Sequence, residues 1–304
     1  MPHPVIQIDG LRKAYGDFEA VRGIDLSVER GQVFAFLGPN GAGKTTTVEI
    51  LEGYRERSGG EVSVLGEDPQ RAGREWRARV GIVLQECRME PALTVRETLR
   101  LYSGYYPAPR DVDETIELVG LAAKADERAG RLSGGQQRRL DVGLALIGDA
   151  ELLFLDEPTT GFDPSARRQA WEVIASLGEL GKTVFLTTHY MDEAQFLADR
   201  VAVLAAGRIV AEGTPDEIGG RAHAGSVIRF TAPAGFDPGS LPPDAQPATL
   251  TGDGRVEIAP RDAVRATHAL TEWALGSGLE LAGFEVRRPS LEDIYLELTD
   301  GGSR

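Results

Sequence analysis

The side chains with the clearest chemistry sit in three short stretches. The first, Gly38-Pro39-Asn40-Gly41-Ala42-Gly43-Lys44-Thr45, fits G-x-x-x-x-G-K-[ST] and lies between an apolar strand-like run, Val33–Leu37, and a helical pattern from Thr45 to Leu51. Glycines let the backbone N–H groups wrap phosphates, and the following helix start adds unpaired donors and a positive dipole end. Lys44 would reach the β and γ phosphates, and the Thr45 hydroxyl would hold Mg²⁺, with Thr46 closing the cradle. Only four lysines occur among the 33 basic residues, so a lysine at this position is no accident of composition. A compact ammonium fits between phosphates where a planar guanidinium does not.

The second stretch, Glu151 to Pro158, is an apolar strand that ends in adjacent carboxylates, Asp156 and Glu157. In a phosphate-loop site the first acid holds the metal, usually through water, and the second accepts a proton from attacking water. Asp156 is therefore the expected Mg²⁺ ligand and Glu157 the expected general base. The third, Thr183–Thr188, is a β-branched run that delivers His189 to a strand end, the edge where open α/β sheets place ligands. His3, His223 and His268 read instead as satisfied or surface residues. Val80–Leu84 delivers Gln85 in the same manner, where a neutral amide can touch the metal or its water, although Gln85 carries no meaning alone. The lone cysteine, Cys87, reads as a small loop side chain.

A chain of 304 residues, 41% hydrophobic and 26% charged, is an ordinary globular composition. No apolar stretch approaches the roughly 20 residues of a membrane span, and the N-terminal residues show no export signal, so the expectation is a cytoplasmic protein. A net charge of −14 argues against nucleic acid as a partner and against adhesion to anionic lipid. Any membrane contact must then run through another protein.

Leu132-Ser133-Gly134-Gly135-Gln136 separates this chain from generic nucleotide triphosphatases. A serine and two glycines opening a helix form a second anion site, separate from the phosphate loop. The run resembles the signature motif of the ATP-binding cassette ATPases, and phosphate loop, glutamine, signature, acid pair and histidine follow in that family's order from Val5 to about Ala222. The resemblance implies that Tyr15 stacks on adenine, that Gln85 senses the γ phosphate and touches the metal, and that His189 contacts that phosphate. It implies that Asp163 belongs to a loop communicating across a dimer; Phe162 stands where leucine is usual. It also implies ATP and Mg²⁺ as cofactors and ATP hydrolysis as the activity. In the family the signature of one subunit closes over the nucleotide of another, so the resemblance implies as partners a second cassette subunit, in a homodimer, and an integral membrane permease.

Strand and helix patterns alternate through the first two thirds. The expected fold is α/β, a phosphate-loop core with a mostly parallel sheet, an antiparallel β subdomain (Val5–Asp9 and Val21–Val28) and a helical subdomain over about 94–148. Thr94 with Glu97 caps a helix there. In the family this subdomain receives short helices of the permease, and Tyr102, Tyr105 and Tyr106 lie in or near that face; helix packing is an equal role for at least one of them. Residues 1–222 form the expected nucleotide-binding domain and 223–304 a small α+β accessory domain. The latter has a Pro/Gly-rich loop over 232–248, a hairpin at Gly252-Asp253-Gly254, a helix from Arg261 to Ala274, a strand from Glu280 to Val286 and a last helix from Ser290 to Leu298. This tail resembles that of the daunorubicin-resistance type of drug-exporter ATPases. That resemblance implies the ATPase subunit of an exporter of drugs or other hydrophobic compounds, peripheral on the inner face of the membrane. A regulatory cassette, or one acting on ribosomes or DNA, is the alternative.

Overall fold

The computed structural model describes residues 4–83, 89–218, 226–233, 235–287, 291–293 and 295. The chain forms two compact units, 1–215 and 216–304. The first runs β1 (Ile6–Tyr15), β2 (Phe18–Val28), β3 (Val33–Leu37), α1 (Lys44–Leu51), β4 (Gly59–Val64), α2 (Arg74–Ala78), β5 (Val80–Val83), α3 (Val95–Ser103), α4 (Val112–Leu118) and α5 (Gly134–Leu146). It continues with β6 (Leu152–Asp156), α6 (Pro164–Glu179), β7 (Thr183–Thr188), α7 (Met191–Leu197), β8 (Arg200–Ala205) and β9 (Arg208–Gly213).

The main sheet has the order β5-β6-β7-β3-β8-β9, parallel except for β9. All residues of β3 and β7 are buried, because a parallel strand covered by helices is apolar on both faces. Phe34, Phe36 and Phe154 pack around Phe185, with ring centroids 5.5, 5.6 and 5.7 Å away. A separate antiparallel sheet, β2-β1-β4, ends at the tight turn Gly16-Asp17, across which Tyr15 pairs with Phe18. The expected first strands are thus longer than the sequence pattern suggests, since their outer ends carry polar residues.

Helix starts follow from local chemistry. Thr94 and Glu97 form a reciprocal capping box at α3, and Ser133 and Gln136 form another at α5. The three tyrosines divide their roles. Tyr102 and Tyr105 meet edge to face at 5.9 Å and are exposed. Tyr106 packs so closely on Gly148 that a Cβ there would lie 2.3 Å from its ring, so position 148 has room only for glycine.

In the second unit β10 (Val227–Thr231), β11 (Ala248–Leu250), β12 (Arg255–Ile258) and β13 (Glu285–Arg287) form an antiparallel sheet of order β11-β12-β10-β13. Helix α8 (Ala263–Ser277) contributes Ala266 and Leu270 to a core with Ile228, Phe230, Val256 and Ile258. The Gly252–Gly254 turn joins β11 to β12 as its composition predicts. Two expectations change. The Pro/Gly-rich stretch is anchored by short turns that bury Leu241 and Ala245. The strand predicted over Glu280–Val286 begins only at Glu285, because Leu281–Phe284 closes a turn. Residues 291–293 and 295 are helical, while the rest of the predicted Ser290–Leu298 helix, with Gln85, Cys87, His3 and His223, lies outside the described residues.

Candidate nucleotide site

The sheet order sets the site. Because β6, β7 and β3 are neighbours, their C-terminal ends bring the acid pair, His189 and the glycine loop to one edge. Gly43 has φ +107°, and a Cβ there would stand 2.5 Å from the carbonyl oxygen of Ala20, so the loop can close against β2 only with glycine. Lys44 is buried, and its Nζ donates to the carbonyl oxygens of Gly38 at 2.7 Å and Pro39 at 3.3 Å. Burial lowers the Lys44 pKa, and the nearby charges of Glu157 and Asp156 oppose that shift. A cavity of about 460 Å³ opens beside the loop, lined by Asn40, Gly41, Gly43, Lys44, Thr45 and Thr46, with Glu157 on one side and Tyr15 and Phe18 on another. Ala42 is buried beneath the loop.

Glu157 adopts φ +45°, a left-handed conformation that a non-glycine residue holds only when its surroundings enforce it. Here they do. Its N–H donates to the Thr187 carbonyl and to Thr187 Oγ1, both at 3.1 Å, while the Thr187 hydroxyl donates to Asp156 Oδ1. The Glu157 carboxylate accepts from Thr160 Oγ1 at 3.0 Å and lies 3.3 Å from His189 Nδ1. Arg138, buried on α5, donates to the carbonyl oxygens of Asp156 at 2.9 Å and Pro158 at 3.2 Å. The helix that starts at Ser133 is thereby tied to the acid pair. Just beyond, the buried Glu193 accepts from Thr159 and Trp171, joining this loop to α6 and α7.

Tyr15 is partly exposed, with the Lys13 ammonium 5.1 Å and the Arg55 guanidinium 5.4 Å from its ring centre. Arg55 in turn donates to Glu49 on α1. Asp163 caps α6, accepting from the N–H groups of Ser165 and Ala166 at 2.9 Å each. Ser133 and Gly134 are exposed at the start of α5, Gly135 and Gln136 are half-buried, and none of the four lines the cavity of their own phosphate loop. The structure therefore groups Tyr15, Lys44, Thr45, Thr46 and Glu157, sets Asp156 and His189 beside them, and holds the signature apart. Thr187, Arg138, Arg55 and Phe18 are the residues that sequence reasoning passes over. An arginine on a helix reads as solvated, and a threonine in a β-branched run reads as strand.

The donor set fits a magnesium ion. Among the described residues no group of three or more His, Cys, Asp or Glu could hold a metal, but Mg²⁺ keeps several waters and needs only one or two protein oxygens beside phosphates. The exposed Thr45 hydroxyl and the Asp156 carboxylate at the strand end supply oxygens of that kind.

Residues 21–160 match the family described as ABC transporter, and residues 226–290 match a family described as ABC transporter domain-containing protein-like, C-terminal domain. The chain is 38% identical, over all of its length and 98% of the relative's, to the daunorubicin resistance ATP-binding protein DrrA3 of Streptomyces coeruleorubidus. The chain belongs to the ATP-binding cassette transporter ATPases. It is also 44% identical to the Nod factor export ATP-binding protein I of Cupriavidus metallidurans, covering 70% of this chain and 72% of that one. The ADP conformation of MJ1267, an ATP-binding cassette of an ABC transporter, superposes with a TM-score of 0.63 at 25% identity, covering 70% of this chain and 92% of that structure. As a member of this family the cassette binds and hydrolyses ATP. No helix among the described residues is long and apolar enough to cross a membrane.

Proposed function

We propose that two copies of this cassette ATPase bind two nucleotides between them and drive a separately encoded permease that exports a drug or another hydrophobic compound. The observation that carries the pairing is the placement of Ser133 and Gly134, exposed at a helix start and absent from the cavity of their own phosphate loop. A helix start with free N–H groups and a hydroxyl suits the phosphates of a nucleotide held by another copy. Full-length likeness to a protein named for daunorubicin resistance supports export.

Each side chain has a task in this reading. Tyr15 stacks on the base, the Gly38–Gly43 backbone donates to phosphate oxygens, and Lys44 neutralises their charge. Thr45 and Asp156, with Gln85 in addition, would hold Mg²⁺, which would supply positive charge against the phosphates. Glu157 takes the proton of the attacking water, and His189 at its side contacts the γ phosphate. Asp163 holds the start of α6 at the face turned to the second copy. The helical subdomain docks the permease, which keeps the protein at the inner membrane face.

Glu157→Gln preserves the shape of the base and removes its basicity. The variant is expected to bind ATP, accumulate as a closed dimer and hydrolyse at least about 100-fold more slowly. Phosphate release at the wild-type rate would overturn the assignment of the base. Membrane co-purification tests the rest: a multi-helix membrane protein supports the permease, while ribosomes or DNA would replace it.

A further inference from the structure

Glu193 is a fully buried acid in the first turn of α7 that neither lines the nucleotide cavity nor belongs to the acid pair. Its bonds converge on one oxygen: Oε1 accepts from Thr159 Oγ1 at 2.7 Å and from Trp171 Nε1 at 3.0 Å. The other oxygen, Oε2, is buried and has no hydrogen-bond partner among the described residues. Burial raises the Glu193 pKa, while the donors of Thr188, Thr159 and Trp171 favour its charged form. A buried carboxylate with one oxygen left dry costs stability, and an apolar side chain of similar size would pack this junction without that penalty. Stability alone therefore gives no reason for an acid here.

The position of its partners does. Thr159 stands two residues past Glu157, in a turn closed by the Thr160 N–H on the Glu157 carbonyl and the Phe162 N–H on the Thr159 carbonyl, both at 3.2 Å. His189 stands four residues ahead of Glu193, at the entry to α7. We infer that Glu193 is a positioning residue for hydrolysis: it ties the turn that carries Glu157 to the helix that follows His189, so that base and histidine keep their spacing. This deepens the reading of Glu157 and His189 given above and rests on it. Their direct contact, 3.3 Å from His189 Nδ1 to the Glu157 carboxylate, leaves no room for a water or a phosphate oxygen, so it must open when substrate enters. The bond from Thr159 to Glu193 lies outside that gap and holds while it widens. Trp171 has a separate task, bracing the same oxygen from α6 and stacking on Phe196 of α7 at 5.3 Å. Another side of the start of α7 is held independently, with the Arg167 guanidinium 4.1 Å from the Tyr190 ring centre and 3.7 Å from Asp192. Loss of the Glu193 carboxylate is therefore expected to leave α7 docked.

Steady-state ATP hydrolysis and thermal unfolding of the full chain test this. Thr159→Val and Glu193→Met each remove the bond at similar side-chain volume and are expected to lower kcat at least about tenfold, with KM within about twofold of wild type. Glu193→Gln keeps an acceptor for Thr159 and should stay within about threefold of the wild-type rate. The double variant of Thr159→Val with Glu193→Met should fall no further than either single one, because both remove the same bond. Trp171→Phe, which drops the N–H and keeps an aromatic ring, is the control: its melting temperature should fall and its kcat should hold. Wild-type kcat in Thr159→Val would overturn the inference, and that variant decides alone if Glu193→Met does not fold. An equal loss of rate in Trp171→Phe, or a loss that appears as a raised KM, would reduce Glu193 to a packing residue and overturn it as well. Rapid hydrolysis by Glu157→Gln would instead remove the base assignment on which the inference rests. A slow Glu157→Gln beside a wild-type Thr159→Val would remove the Glu193 assignment only.

Discussion

Thr187 shows how one hydroxyl sets the state of two acids. It donates to Asp156 and accepts from the N–H of Glu157, which is held in a left-handed backbone conformation. Thr187→Val keeps the volume and β-branching but leaves the part-buried Glu157 N–H with one acceptor fewer, a change worth about 1 kcal/mol of stability. The expected outcome is a lower kcat with little change in KM, read from steady-state hydrolysis, because the acids shift while the base platform stays. Lys44, Thr45, Asp156 and Glu157 are legible in the sequence because their neighbours along the chain announce them: glycines before, an apolar strand before, a proline after. Thr187 is not, since its role depends on β7 lying beside β6, a fact of sheet order and not of local pattern. Arg138 is hidden for the same reason, reaching two carbonyls far along the chain.

Among the elements, two helices begin in the same way and serve different ends. Thr94 with Glu97 and Ser133 with Gln136 are equivalent capping boxes. Thr94→Ala and Ser133→Ala should each cost about 1 kcal/mol in denaturant unfolding. Only Ser133→Ala should also depress hydrolysis beyond what the lost stability explains; equal activity in the two variants would reduce Ser133 to a cap. Both helix starts are readable from sequence because a cap and its partner sit three residues apart. The short β13 is not, because the period of Glu280–Val286 is the same whether Leu281 to Phe284 extends or turns.

For the molecule as a whole, Glu52 links stability to pH. The folded chain holds its proton up to about 8, well above the ordinary value of 4.5, so between those limits the folded state binds more protons than the unfolded one. Stability must therefore fall as pH rises through this window and level off above it. Asp156 and Glu49 act on Glu52 in the same direction, and Asp141 and Arg77 line a cavity with it. The wild-type melting temperature is expected to drop relative to Glu52→Gln between about pH 5 and about pH 8, checked by thermal unfolding of the isolated chain; parallel curves would show that Glu52 is ionised throughout. The bridge from Tyr15 through Arg55 to Glu49 has a different consequence. Glu49 belongs to the same helix that begins at Lys44, so in the proposed binding mode, with the base on Tyr15 and the phosphates on Lys44, the two ends of a nucleotide would be gauged from one rigid rod. Such a rod works as a ruler: inorganic triphosphate, which offers the reacting bonds but no base, spans only one of its marks and should be turned over poorly, and Arg55→Leu should blur the distinction between it and ATP.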